Sequence, residues 1–544
     1  MAHPLLILAV LAVAFLGLGL RQAWTDAPTY DESIYLSAGV TSVTLHSLRL
    51  NPEHPPLAKA LAALPVLLDH PVIPQGPVWT NGGESAYATQ FMQANLHAGK
   101  LRTEIFLVRL VPLLEAAAVA FALFALCSRL FSRRSGLLAG VVWLVNPFVL
   151  GLGHIDGVDL PLTLCTVLVA WALLNVLRHP GRSQLMVAGA ACAAATLSKD
   201  DGALVAVVAG LVVVIAGWPS VQWRVFGRLA LMASVTWALV WCCYLVISPS
   251  SSLHLTALPE PFLAGLRYLG THDTVGSPAF LLGHQWVGGK WWYWPVSMVV
   301  KIPLLTVLLL VVGPLGLRFA TRAARREVVA VAVLPAVVLT VFTVVSPKDI
   351  GLRYLLPVLA LWLAVASSAA LAAGRTLVRA ALAVVVVLGA ISVVASVPNS
   401  LAWADPPFAP AYQSTSNADV DWGQGFWQLQ AWSVGRHPWV AYFGSGLIVD
   451  NIPGARSMLT QVPGQAPAVI VRPGELTGWV AVSATTLTSN NANALAFLRA
   501  YCPIGVLGGS ILLYRFDTPP SATPGPATPT GQCPGPFSHR VTGS

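Results

Sequence analysis

Apolar stretches of about 17–23 residues recur along this chain, the length that a bilayer core of ~30 Å asks of a helix. Eleven can be counted, at about 4–20, 105–127, 136–152, 160–177, 184–198, 202–218, 229–247, 291–312, 328–345, 353–373 and 380–398. A long polar-and-apolar loop, 21–104, follows the first, and a shorter one, 248–290, follows the seventh. After 398 the pattern changes. Short apolar runs at Trp439–Phe443, Ala468–Val471, Trp479–Val482 and Ile511–Tyr514 predict buried strands. Asp421–Ser433 and Asn491–Tyr501 read as helices among them. From about residue 518 the chain alternates Pro, Thr and Gly and reads as disordered. The expected organisation is a membrane module over 1–398, a small extracytoplasmic α/β domain over 399–517 and a tail over 518–544.

Composition agrees with the pattern. The chain has 544 residues, 56% hydrophobic and 10% charged, with a mean hydropathy of +0.70. Soluble domains carry roughly 25% charged residues, so the expected class is an all-α polytopic membrane protein with a small α/β appendage. The net charge of +9 does not point to nucleic acid, because its arginines sit in short loops: Arg129, Arg133 and Arg134; Arg178 and Arg182; Arg224 and Arg228; Arg318 to Arg326; Arg375 and Arg379. By the positive-inside rule these loops are cytoplasmic. The alternate loops hold Asp31 and Glu32, Asp156 and Asp159, Asp200 and Asp201, and Asp349. The acids therefore gather on the outer face, with the C-terminal domain, and the expected location is the plasma membrane. Arg21 runs against this count and is outweighed by the later loops. The first span lacks a basic leader and a small-residue cleavage site, so it reads as a retained helix.

Candidate chemistry lies on that outer face. Every lysine (Lys59, Lys100, Lys199, Lys290, Lys301, Lys348) maps there or to the outer half of a span, which suits an anionic group as well as a chance bias. In the first loop, Pro55–Leu68 and Glu84–Lys100 read as interfacial helices. Glu115 and Lys301 fall inside spans, where charge is costly unless paired or wet; they are matched in depth, as a tether or as site lining. Trp291-Trp292-Tyr293-Trp294 reads most simply as an interfacial belt.

The order of motifs resembles a known group. Tyr30-Asp31-Glu32-x-x-Tyr35 and Pro52-Glu53-His54-Pro55-Pro56-Leu57-x-Lys59 look like the first external loop of the polyprenyl-phosphate-sugar-dependent membrane glycosyltransferases of the GT-C fold. That group includes the protein O-mannosyltransferases and the lipid A aminoarabinose transferases. Gly153-His154 to Leu162, Leu197-Ser198-Lys199, Gly289 to Pro295 with Lys301-Ile302-Pro303, Arg353-Tyr354-Leu355-Leu356-Pro357, and Ser416-Asn417 with Asp421-Trp422-Gly423-Gln424 resemble later motifs of the group, over about residues 1–430. Val158 stands where a hydroxyl residue is often found, and the β-trefoil insert of eukaryotic O-mannosyltransferases is absent; both leave the acceptor open.

The resemblance implies a sugar linked through phosphate to an isoprenoid, transferred to an acceptor hydroxyl of a protein, lipid or glycan. A phosphate leaves without a strong acid, but the hydroxyl needs a base, and a partly desolvated carboxylate can serve. Inverting transfer needs one such base and an oriented donor, with cations on the departing phosphate. The expected base is Asp31, with Glu32 its orienting neighbour or an acceptor ligand. His54, Lys59, Lys199 and Arg353 are phosphate candidates. Asp159 and Asp156 form a second acidic position that could bind the acceptor, and Glu53, Glu115, Lys301 and Tyr35 could line the site. No Cys/His cluster has ligand spacing, so no metal site is assigned, while a divalent cation held by carboxylates stays open. No glycine-rich phosphate loop supports a nucleotide-sugar donor. A transporter or lipid-linked-sugar flippase is the rival reading; it would place charge near the midplane of repeated halves, and no repeat is evident. Cys502 and Cys533 could pair in an oxidising compartment.

Overall fold

Each of the eleven apolar stretches is helical in the computed structural model, which describes residues 4–217, 222–249, 257–272, 276–444, 446–460, 468–489 and 494–520. Seven helices are long and apolar enough to cross a membrane: Pro4–Thr25, Leu101–Leu130, Asp159–Arg178, Trp223–Ile247, Arg322–Val345, Leu352–Ala372 and Thr376–Ser396. The others are shorter or broken, for local reasons. Arg133–Leu144 and Pro147–Gly153 bend by 64°. Asn146 caps the second by accepting the Phe148 N–H, and Pro147 opens it at a position where no amide hydrogen is needed. The stretch at 291–312 breaks into Tyr293–Lys301 and Leu304–Val312, because Pro303 cannot continue the helix before it. Gly202–Gly217 is a short apolar helix.

The first loop is folded. Its helices are Tyr30–Thr44, Pro56–Ala63, a tighter turn Pro65–Asp69, Pro77–Asn81 and Glu84–His97. The expected helix to Leu68 is thus interrupted at Pro65, which removes an amide donor. The expected helix to Lys100 stops at His97, two residues before Gly99 in the left-handed conformation.

The C-terminal region carries a five-stranded sheet in the order Arg456–Ser457, Trp439–Ala441, Gly478–Ser483, Ile511–Phe516, Gly505–Leu507. The first three run parallel and the last two pair antiparallel. Three expected strands are present. The fourth, Ala468–Val471, is not; it makes one bridge, Val469 to Leu459, and leaves Ile470 exposed. The expected helix over Asn491–Tyr501 is a short turn, Ala496–Ala500, among the described residues. The helix expected from Asp421 begins at Phe426. A hairpin not foreseen, Pro278–Leu281 with His284–Val287, sits in the loop after the seventh span. Cys533 and the tail from 521 lie outside the described residues.

The sheet packs on the helical bundle through a continuous apolar core that includes Leu401, Tyr412, Trp422, Val480 and Leu512. A second core joins Phe426, Val440 and Ile511 to Leu36, Val66 and Phe91 of the first loop. These contacts bring residues 415–424 against the helix that begins at Tyr30.

A candidate active site at the ends of five helices

Asp31 and Glu32 open the Tyr30–Thr44 helix but face opposite ways. Glu32 points inward and is fully buried. It accepts the Thr29 N–H that its own first turn leaves unpaired, the Asp156 N–H at 2.8 Å, and two N–H bonds from Arg109, each 2.7 Å. Arg109 also donates to the carbonyls of Ala23, Asp26 and Ala27. Burial works against the Glu32 charge, but Arg109 outweighs it and holds the carboxyl below the usual range. Glu32 is thus a brace that orients the helix start. With no exposed surface, it cannot ligate an acceptor as the sequence also allowed.

Asp31 keeps a 20% exposed side chain. Arg353 Nη1 donates to its Oδ2 at 2.8 Å, and Tyr35 reaches the same oxygen at 3.5 Å. Arg353 opens the Leu352–Ala372 helix and lies 3.8 Å from Asp159 Oδ2. Asp159 opens the next helix of the cluster and meets Lys199 at 3.0 Å, and Lys199 meets Asp201 at the same distance. The Tyr354 ring lies 4.3 Å from the Lys199 ammonium and 5.0 Å from the Arg353 guanidinium. Burial pulls Lys199 down, but Asp159, Asp201 and Asp200 outweigh it and hold the amine well above its usual range. His54 Nδ1 sits 2.9 Å from Asp200, its ring edge-on to Tyr35. Asp201, Lys199, Asp159, Arg353 and Asp31 therefore form one chain of ion pairs at the helix ends, with the His54–Asp200 contact beside it.

Other expected residues lie elsewhere. Lys59 is buried, and its three N–H bonds all go to Asn51 O, Asn51 Oδ1 and His54 O at 2.7–2.8 Å. Burial lowers its pKa to about 8. It clasps the loop at Asn51, which takes a left-handed φ of 52°, and has no N–H left for a phosphate. Glu53 accepts from the Asn51 side chain and Glu84 from the Asn51 N–H. The Glu115–Lys301 tether does not form. Lys301 donates to the carbonyls of Leu401, Trp403 and Asp419, while Glu115 has no hydrogen-bond partner among the described residues. Asp156 is buried between Glu32 and the cluster; burial, then the charges of Glu32 and Glu115, push its carboxyl well above the usual range. Asp349 accepts from Trp286 Nε1 and the Lys290 N–H. The aromatic run is a surface belt only at Trp291, since Tyr293 and Trp294 are buried.

Residues 419–424 complete the site. Asp419 accepts the Leu352 N–H at 2.9 Å and so fixes the turn that presents Arg353. The Trp422 ring lies 4.2 Å from the Arg353 guanidinium. The Tyr30 N–H donates to Trp422 O at 2.7 Å and the Ala27 N–H to Gln424 O at 2.9 Å. Beside this cluster lies an apolar cavity of about 340 Å³ between helices, lined by Met298, Ile302, Val337, Leu352, Leu355 and Trp362. Among the described residues no group of three or more His, Cys, Asp or Glu side chains is arranged to hold a metal ion.

Over nine-tenths of its length the chain superimposes on the archaeal oligosaccharyltransferase AglB from Archaeoglobus fulgidus, in complex with an inhibitory peptide and a dolichol-phosphate. The TM-score is 0.50 and the identity 11%, over 91% of this chain and 72% of that one. The fold is that of the GT-C glycosyltransferases. Residues 99–252 match the family model described as dolichyl-phosphate-mannose-protein mannosyltransferase. Similarity extends to ArnT from Cupriavidus metallidurans in the apo state (18% identity, TM-score 0.40, 66% of this chain and 59% of that one). It extends also to the S. cerevisiae protein O-mannosyltransferase Pmt1-Pmt2 complex bound to the sugar donor (18%, 0.30, 52% and 39%). The match thus spans 59% of the length of ArnT. No curated protein matches the chain in sequence.

Sequence reasoning missed Arg109 and Trp422. An arginine inside an apolar stretch is costly unless paired, and that was the available signal for Arg109. Trp422 stood in a noted motif, but nothing in sequence spacing says which side chain an indole will face.

Proposed function

We propose that the protein is a membrane glycosyltransferase that moves a sugar from a polyprenyl-phosphate donor to an acceptor hydroxyl, by inverting single displacement, at the extracytoplasmic face of the plasma membrane. The observation that carries this reading is the pairing of Asp31, a partly exposed carboxylate, with the cation Arg353, next in the chain to Leu352, which lines an apolar cavity. Leu352 and Leu355 line that cavity and flank Arg353 in the chain, so an isoprenoid chain in the cavity would lie along the helix whose start carries the guanidinium. The donor phosphate would then take N–H bonds from Arg353, with Lys199 adding positive charge and the His54 ring standing nearby. Release of Arg353 from Asp31 would leave the carboxylate free to accept the acceptor's proton as its oxygen attacks the anomeric carbon. The C–O bond to phosphate breaks on the opposite face, and the phosphate departs as an anion. Asp159 holds Lys199 and Arg353 at their spacing. Lys59 and Glu32 hold the loop and helix that carry His54 and Asp31. The sheet-containing region after residue 398 acts as a cap whose 419–424 segment supports Arg353.

The fold shared with AglB, which was solved with a dolichol-phosphate, is consistent with this donor class. The sugar is a hexose or pentose of unassigned type, and the acceptor is a protein, lipid or glycan. The test is a panel of radiolabelled polyprenyl-phosphate sugars offered to purified protein in lipid, with the product identified. Transfer to an acceptor is the expected result. Movement of the donor across the bilayer without transfer would favour the transporter reading instead.

A further inference from the structure

The Arg353 guanidinium is the hub of the site, yet its Nε–H is buried with no protein partner. The side chain is only 7% exposed. Its Nη1 serves Asp31 and Asp159, and its Nη2 reaches only the Tyr354 hydroxyl, at 3.5 Å. A guanidinium held at one end of its fork can swing, so something on its Nε side must fix it if the Asp31 contact is to have one geometry.

A second orphan lies close by. Asp156 is 3% exposed, and its Oδ2 is buried without a partner. Asp156 and Arg353 line the same small cavity, with Asp159, Gly157, Leu356 and Trp422 among its other walls, and its volume is about 20 Å³. One water needs roughly 10–15 Å³ of such space and two or more polar partners. This cavity offers a donor, Nε–H, and an acceptor, Oδ2, and room for one molecule. Trp422 closes it from the side of the C-terminal segment, with its ring against the guanidinium.

We infer that the cavity holds a single structural water that accepts the Arg353 Nε–H and donates to Asp156 Oδ2, making Asp156 the positioning residue for Arg353. Asp156 is itself fixed, because its N–H is held by the buried carboxylate of Glu32. The relay therefore ties the Arg109–Glu32 brace to the working arginine, through Asp156 and one water. It assigns Asp156 to orientation, where the sequence allowed acceptor binding. A neutral acid does this as well as a charged one, since the water needs only an acceptor oxygen.

The inference about Arg353 and phosphate rests on the proposed function; the water itself does not. The first test is therefore a density map of the wild-type protein that resolves ordered water. One peak within hydrogen-bond distance of both Arg353 Nε and Asp156 Oδ2 is expected, and an empty cavity overturns the inference. The second test measures affinity for undecaprenyl phosphate. D156L fills the cavity with methyl groups and should weaken binding by about 10-fold or more, the loss of one charge-assisted hydrogen bond. D156N keeps an acceptor oxygen and should restore most of that loss at the same thermal stability. If D156L binds like wild type while R353A does not, the positioning role is wrong. If R353A also binds like wild type, the lipid-phosphate reading fails, and the map alone judges the water. Should D156L not fold, the map and the D156N affinity carry the test: D156N weaker by 10-fold or more also overturns the inference.

Discussion

At the residue scale the two adjacent acids divide the work by exposure. Asp31 is reachable and Glu32 is not, although both belong to the same helix turn. Asp31→Asn keeps shape and polarity and removes proton acceptance, so turnover should fall by about 10²–10⁴-fold, the usual cost of losing a general base. Donor affinity should stay within a few-fold. Full turnover in that variant would move the base to Asp159. Glu32→Gln should act through the fold. It removes the counter-charge of the buried Arg109 and turns one of its two carboxylate acceptors into an amide N–H2, and breaking a buried pair costs about 3–5 kcal/mol; a thermal melt in detergent reads this directly. An unchanged melting temperature would mean that the brace is redundant. Lys59→Met should likewise lower the melting temperature and leave the donor affinity of the folded fraction intact, because its N–H bonds are all spent on Asn51 and His54. A specific loss of donor affinity would restore Lys59 to the phosphate set.

At the element scale, the helices of the first loop matter through how they are pinned. The Glu84–His97 helix starts at a carboxyl whose pKa burial, then Glu53, pushes up to about 7, against the opposing pull of Lys59 and His54. In the unfolded chain the same group titrates near its ordinary value of 4.5. Between these values the folded protein keeps a proton that the unfolded chain has released. The contribution of Glu84 is therefore complete below the lower value and is lost as pH rises through the upper one. Glu84→Gln should flatten the fall in melting temperature between pH 4.5 and about pH 7. Parallel curves for the two proteins would exclude Glu84 as the cause. The breaks in the apolar stretches are likewise local in origin. Pro147 and Pro303 end or bend helices where an uninterrupted span was expected. The carbonyls of Leu401 and Trp403, beyond the end of the Thr376–Ser396 helix, are met by Lys301.

At the scale of the whole molecule, the arginine-rich loops alternate with the acidic ends that build the cluster. A reporter fused after residue 400 should score as extracytoplasmic, and a cytoplasmic score would overturn both the crossing count and the face assigned to the site. Much of this architecture was legible in the chain. Apolar length marked the seven described helices that are long and apolar enough to cross a membrane, because the bilayer core imposes it residue by residue. Charge placement brought Asp31, Asp159, Asp200 and Lys199 to one face before any contact was known. Strand periodicity found the three long-paired strands and failed at Ala468–Val471, where an apolar run met too few partners to pair. What the tertiary structure alone decided was which of the gathered charges remain free. Asp31 and Glu32 are neighbours in sequence, and a helix turn points one to the cleft and the other to Arg109, 77 positions away. Lys59 and Lys199 look alike as point charges; one is spent on neutral oxygens of Asn51 and His54 and the other on carboxylates. Trp422 reaches Arg353 only because the sheet packs its flanking segment onto the first loop. Local pattern sets element type and membrane side, since these depend on near neighbours and solvent. Pairing and exposure depend on contacts between distant segments, and those exist only once the chain has folded.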